Sequence, residues 1–177
     1  MKLAIIPARG GSKRIPRKNI KSFGGRPIIA WSIQAAQDAG IFDRIIVSTD
    51  DEEIAAVAQE YGADIPFIRP VDLADDFTGT ASVIIHAIKW YIERGFDFEQ
   101  VCCIYPTAPF IHAEDIRNGS EILRTSGAKF AFSVTSFAFP IQRAIKIRDD
   151  GRLEMFHPKE FNSRSQDLTE AYHDAGQ

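Results

Sequence analysis

Leu3-Ala4-Ile5-Ile6 runs straight into Pro7-Ala8-Arg9-Gly10-Gly11-Ser12-Lys13-Arg14-Ile15-Pro16-Arg17-Lys18-Asn19. The first four residues are apolar without alternation, the pattern of a strand covered on both faces. The next thirteen hold five cations, two adjacent glycines and a serine. Open α/β sheets bind ligands in the loops at the carboxyl ends of their strands. Glycines let backbone N–H groups approach an anion closely, and Lys and Arg neutralise it. The loop therefore predicts a polyphosphate site. A solvated cationic face is the competing reading, because most charge runs are that. Pro7 and Pro16 argue against it: a stiffened cluster of like charges is costly unless an anion sits among them. The loop is not a Walker A motif, and Gly10-Gly11 lacks the third glycine of a dinucleotide fingerprint. A dinucleotide-dependent oxidoreductase is thus a remote alternative, and a protein-interaction module would leave the converging cations without a purpose.

Outward from this stretch, short β-rich runs alternate with helical patterns. Residues 4–6, 45–47, 66–68, 101–104 and 130–134 read as strands. Residues 27–39, 51–61 and 80–94 read as helices, with a weaker one at 114–124. Their stripes are Ile29/Ile33/Ala36, Ile54/Ala58/Tyr61 and Val83/Ala87/Tyr91. Repeated βα alternation predicts an α/β fold with a mostly parallel sheet. After Ser136 the pattern changes. Residues 144–147 and 153–156 flank Asp149-Asp150-Gly151-Arg152, a hairpin signal. From His157 to Gln177 the chain is polar with no apolar stripe.

The chain has 177 residues, 45% of them hydrophobic and 25% charged, with a net charge of −3. That suits one domain with a substantial core and argues against a general nucleic-acid or membrane-surface binder. No apolar run approaches the length of a membrane span. Cys102 and Cys103 are adjacent in an apolar run and suggest neither a disulfide framework nor a metal knuckle, which fits a reducing, cytoplasmic setting.

Three further strand ends complete the rim. Ser48-Thr49-Asp50-Asp51 follows the second strand, and Asp50 or Asp51 is at least as well explained as a helix N-cap as a ligand. Arg69-Pro70 follows the third strand. Tyr105-Pro106-Thr107-Ala108-Pro109 follows the fourth, with two prolines restricting Thr107. Thr78 and Thr80 precede or open the third helix, where capping is the default role.

Ile5 to Ile20 resembles the first signature of the sugar-acid cytidylyltransferases, which include the CMP-sialic acid synthetases. Ser48-Thr49-Asp50, Arg69-Pro70 with Leu73-Ala74, and Tyr105-Pro106-Thr107-Ala108-Pro109 resemble its later signatures, in order. Val101 to Phe110, Phe139-Pro140-Ile141-Gln142-Arg143-Ala144, Ser163 to Leu168 and Ala171 to Gln177 are similar to the bacterial pseudaminic acid cytidylyltransferase branch. Tyr105, Ala108 and Ala175-Gly176 depart from many sialic acid enzymes, which have Gln, Ser and Asn-Gly there.

The resemblance implies a three-layer Rossmann-like nucleotidyltransferase fold in a single domain over residues 1–177. A small β-hairpin excursion, residues 138–177, would serve dimerisation and the sugar site. It also implies a reaction in which the anomeric hydroxyl of a nonulosonic acid attacks the α-phosphorus of CTP, forming the CMP-sugar and releasing pyrophosphate. The setting implied is bacterial surface glycan or flagellin glycosylation, the partner a second copy in a homodimer. Arg9 and Lys18 match the triphosphate cations. Ala8, Gly10, Gly11 and Ser12 match the phosphate cradle, and Asn19, Arg69, Thr80 and Thr107 match contacts to the nucleotide. Arg143, Arg164 and Gln166 resemble residues of the sugar site, donated across the dimer interface. Lys13, Arg14 and Arg17 hold the field or the loop geometry. Mg²⁺ is the implied cofactor. The family's metal-binding aspartates, with its last strand and helix, are expected beyond Gln177, so no metal ligand is assigned within the chain. CMP-N-acetylneuraminate synthesis and an inactive nucleotide-binding fragment are the alternatives within the family.

Overall fold

The computed structural model describes residues 1–177. They form two compact units, Met1–Ala131 with Gly176–Gln177, and Phe132–Ala175.

In chain order the first unit contains β1 (Lys2–Pro7), β2 (Ser22–Phe23), β3 (Arg26–Pro27) and α1 (Ile28–Ala39). It continues with β4 (Arg44–Ser48), α2 (Glu52–Glu60), α3 (Thr80–Ile92), β5 (Gln100–Cys103) and α4 (Ala113–Ser126). The main sheet has three strands in the order β4-β1-β5, all parallel. β1 lies in the middle, and Leu3, Ala4, Ile5 and Ile6 are fully buried, as an unbroken apolar run requires. Successive side chains point to opposite faces. Ala4 and Ile6 join Ile29, Ile33, Ile54, Ala58 and Ile116 in a core under α1, α2 and α4. Leu3 and Ile5 join Ile46, Ala87 and Tyr91 in a second core under α3. The sheet is therefore the middle of three layers.

The helices start and stop close to where their residues predict. Asp51 caps α2 by accepting the Ile54 N–H at 2.9 Å, with Glu52 and Glu53 in the first turn. On α3, Val83, Ala87 and Tyr91 are the buried residues. Two expected strands need correction. Residues 66–68 form no ladder; the chain there makes only isolated parallel bridges, Ile46 with Asp64 and Thr49 with Ile68. Pro66 has no N–H to donate, which interrupts a ladder at that point. Residues 130–134 do not extend the parallel sheet either, and Phe130 and Phe132 are exposed.

The second unit pairs β6 (Val134–Ser136) with β9 (Tyr172–Asp174), antiparallel, in the register Val134–Asp174. It also holds the expected hairpin, β7 (Ile145–Ile147) with β8 (Leu153–Met155). Gly151, at φ 77°, supplies the left-handed residue of the turn. β9 lies in the stretch read as featureless, because a three-residue strand shows no periodicity.

Candidate active site

β1 pairs Pro7 with Ser48 and Ile5 with Cys103, so the carboxyl ends of the three main strands lie side by side. The loops leaving them enclose a cavity of about 630 Å³. From the first loop Arg9, Ser12, Lys13, Arg14, Lys18 and Asn19 line it. Arg69, Asp76, Thr78 and Thr80 close another side, and Tyr105 to Thr107 a third. Arg9, Ser12, Lys18, Asn19, Arg69, Thr80 and Thr107, distant in sequence, thus line one cavity.

Each is held differently. Arg9 Nη1 donates to the Asp75 carbonyl at 2.7 Å and pairs with Asp76 at 2.7 Å. Lys13 pairs with the other oxygen of Asp76. These two cations, Lys13 first, hold the Asp76 carboxyl below its ordinary range. Asp76 was invisible as a site residue in the sequence, where the only signal is an acidic pair opposite in sign to a distant basic loop. Arg69 is buried at 4% exposure. Its Nε donates to Ser48 Oγ at 3.1 Å and its Nη2 to the Ser48 carbonyl. Burial is the main cause that lowers the Arg69 pKa; Asp50 opposes it and Arg9 adds to it.

Asn19 is buried as well, and its Nδ2 donates to the Arg9 carbonyl at 2.9 Å. Its Oδ1 is buried with no partner, an acceptor left for a ligand donor. Ala8 is fully buried and its N–H is committed to the Ser48 carbonyl at 2.9 Å, so it anchors the loop. The Gly10 N–H donates to Asp50 Oδ1 at 2.9 Å, and the Ser12 N–H to the Gly10 carbonyl at 2.9 Å. The Gly11 N–H makes no hydrogen bond within the chain. Neither threonine caps α3: Gly79 is the N-cap, and Thr78 Oγ1 donates to the Asp72 carbonyl at 3.3 Å. Sequence reasoning also missed Ser32, fully buried on α1, whose Oγ donates to the Tyr105 carbonyl at 2.7 Å and steadies the loop carrying Thr107.

In the second unit, Arg143 donates to the Phe161 carbonyl at 2.9 Å and to the Ser163 carbonyl, bracing that turn. Arg164 is exposed and grips Asp167 through Nε at 2.7 Å and Nη2 at 3.1 Å. Gln166 is exposed between them in the 3₁₀ turn Ser165–Asp167.

Nowhere do three His, Cys, Asp or Glu side chains gather. At the rim, Asp50 serves Gly10, Asp75 accepts the Phe77 and Thr78 N–H groups, and Asp76 is shared by two cations. These residues do not by themselves fit a resident Mg²⁺.

The model of the family described as Cytidylyltransferase matches residues 3–173. A pseudaminic acid cytidylyltransferase of Campylobacter jejuni (serotype O:2) is 47% identical over 174 residues, 98% of this chain and 75% of that protein. A CMP-N,N'-diacetyllegionaminic acid synthase of Legionella pneumophila is 38% identical over 151 residues, 85% of this chain and 65% of that protein. Among solved structures, CMP:2-keto-3-deoxy-manno-octonic acid synthetase complexed with CTP has the same fold, with a TM-score of 0.66 at 17% identity, over 99% of this chain and 71% of that one. The chain belongs to the cytidylyltransferase family.

Proposed function

We propose that this chain binds CTP in the rim cavity and transfers CMP to the anomeric hydroxyl of a nonulosonic acid, releasing pyrophosphate. The carrying observation is the convergence of Arg9, Lys13, Arg14 and Lys18 on one cavity at the carboxyl edge of a parallel sheet. Arg9 and Lys18 neutralise charge on the triphosphate as the α-phosphorus is attacked and pyrophosphate leaves. The Gly11 amide and Ser12 hydroxyl complete the phosphate cradle. The orphaned Asn19 Oδ1, with Arg69, Thr80 and Thr107, takes up base and ribose. A tertiary hydroxyl is a hindered nucleophile, so alignment and charge stabilisation carry the rate. Mg²⁺ arrives as the counter-ion of the nucleotide.

Pseudaminic acid is the proposed acceptor. The support is the 47% and 48% identity to two pseudaminic acid cytidylyltransferases of Campylobacter jejuni, against 33% to an N-acylneuraminate cytidylyltransferase of Escherichia coli. Residues 138–177 form the proposed dimerisation and sugar-site excursion, within which Arg143, Arg164 and Gln166 contact the sugar acid of the neighbouring subunit. Exposed Phe139, Ile147 and Phe161 are apolar surface for a second copy to cover. No helix is long and apolar enough to cross a membrane, and the cytoplasm, where CTP is made, is the proposed place of action.

The test supplies CTP and Mg²⁺ with pseudaminic, N-acetylneuraminic, legionaminic or 3-deoxy-octulosonic acid and measures pyrophosphate. Release is fastest with pseudaminic acid, and Arg9→Ala or Lys18→Ala weakens CTP use by about 1–3 kcal/mol per charge-assisted contact. No release with any acceptor, or two unimpaired variants, refutes the assignment.

A further inference from the structure

Four cations of the first loop line the cavity; Arg17, the fifth, does not. Its guanidinium forms a fork on Asp51, with Nη2 to Oδ1 at 2.9 Å and Nη1 to Oδ2, and Nη2 also reaches Glu53. Arg17 is also the chain's only non-glycine residue with positive φ, at 55°. That region is disfavoured for any residue with a Cβ and persists only where the surroundings enforce it.

What the bend does is read from its neighbours. Arg17 is the N-cap of the 3₁₀ turn Lys18–Ile20, so the reversal at Arg17 sets the direction in which Lys18 leaves the backbone. Lys18 lines the cavity, whereas Arg17 is not part of its lining and pairs with Asp51 and Glu53 at the start of α2. The acceptor is rigid, because Asp51 Oδ1 also accepts the Ile54 N–H at 2.9 Å. Next to it, Asp50 holds Gly10. The loop is thus tied to the β4–α2 corner near both its ends. The Arg17 fork holds the Asp51 carboxyl below its ordinary range.

We propose that Arg17 is a positioning residue for nucleotide binding: clamped on Asp51 and Glu53, it maintains the left-handed bend that delivers the Lys18 ammonium to the triphosphate. The proposal rests on the CTP reading above. Arg17 touches no substrate; it acts through Lys18.

A double-mutant cycle tests this, with the dissociation constant for MgCTP measured by calorimetry on the wild-type chain, Arg17→Ala, Lys18→Ala and the double variant. Alanine keeps the Cβ, and so the backbone cost at φ 55°, and removes only the clamp. Each single variant weakens binding about tenfold or more, and the double is within about twofold of Lys18→Ala, because a misplaced lysine that is absent costs nothing further. Arg17→Lys keeps the charge without the fork and recovers only part of the affinity; it also runs the cycle if Arg17→Ala does not fold. Effects that multiply in the double variant overturn the proposal, because a general loosening of the loop acts with or without Lys18. Unchanged affinity in both Arg17 variants overturns it as well. A wild-type chain that takes up no CTP overturns the nucleotide reading and this proposal with it, whereas tight wild-type binding with multiplying effects removes the positioning role alone.

Discussion

Gly10 and Gly11 are adjacent and identical in sequence terms, yet only Gly10 is predicted to lose stability on replacement by alanine. A Cβ built on Gly10 would lie 2.6 Å from Asp51 Oδ2, 2.9 Å from Asp51 Cβ and 3.1 Å from Asp51 Cγ. The carboxylate end can swing aside, but the Asp51 Cβ cannot, because the backbone of the α2 N-cap fixes it. If the carboxylate swings, it leaves both Arg17 and the Ile54 N–H; if it stays, the loop shifts and the Gly10–Asp50 bond opens. Forcing a methyl group into such a contact costs about 1–3 kcal/mol, and loss of the cap alone about 0.5–2 kcal/mol. For a domain of this size each kcal/mol moves the midpoint by about 2–4 °C. Gly10→Ala should therefore unfold at least about 2 °C, and up to about 12 °C, below the wild type. A Cβ on Gly11 meets nothing within 4 Å, and its φ is not positive. Gly11→Ala should stay within about 0.5 kcal/mol. Thermal unfolding followed by circular dichroism reads both. Equal midpoints for the two variants, or a larger loss for Gly11→Ala, would refute the close approach of the loop to α2.

Three more outcomes are expected. Arg164→Ala should impair use of the sugar acid while leaving CTP affinity intact, since the proposed function gives Arg164 a contact to the sugar acid and none to the nucleotide; a matching loss of CTP affinity would count against that role. Asp51 has its pKa lowered from 3.8, chiefly by Arg17, so its contribution to stability is complete above the unfolded value and is lost as pH falls through the folded one. In acid titrations the wild type should accordingly lose stability relative to Asp51→Asn below about pH 4, and parallel profiles down to about pH 2 would count against the clamp. Burial pushes the Cys102 thiol up to about 11 and the Cys103 thiol to about 12. Both should resist a disulfide reagent at about pH 8 in the native chain and react on unfolding in guanidinium; a fast native phase would mean that β5 is not packed as described.

The parts legible in the sequence were those where one residue's environment follows from its near neighbours. Leu3 to Ile6 read as a strand covered on both sides, and Val83, Ala87 and Tyr91 as one helix face. α1 stops at Gly40, a glycine in the left-handed region just past its last residue, and α2 starts at Asp51 with its two glutamates. Legibility failed where partner choice is non-local. Residues 130–134 have strand composition, but composition does not say that Val134 to Ser136 would pair with Tyr172 to Asp174. Pro66 carried a local warning, a missing donor, that an apolar reading of residues 66–68 passed over.

The site shows the same division with a chemical consequence. A count of the loop's charges gives five cations, and the folded chain withdraws three of them. Arg17 is spent on Asp51 and Glu53, while Arg9 and Lys13 share Asp76. Arg14 and Lys18 are left in the cavity wall without a carboxylate partner. A triphosphate entering here meets two open cations and two that must first release Asp76. Its binding is then partly an exchange of one anion for another, which depends on the difference between phosphate and carboxylate as partners and not on the sum of attractions. Such an exchange favours ligands carrying several charges on adjacent oxygens, which can occupy Arg9, Lys13 and Lys18 together. A lone carboxylate could only replace Asp76 like for like. On the proposed CTP reading, Asp76 therefore favours polyphosphates over single carboxylates, a role that neither stretch carries by itself.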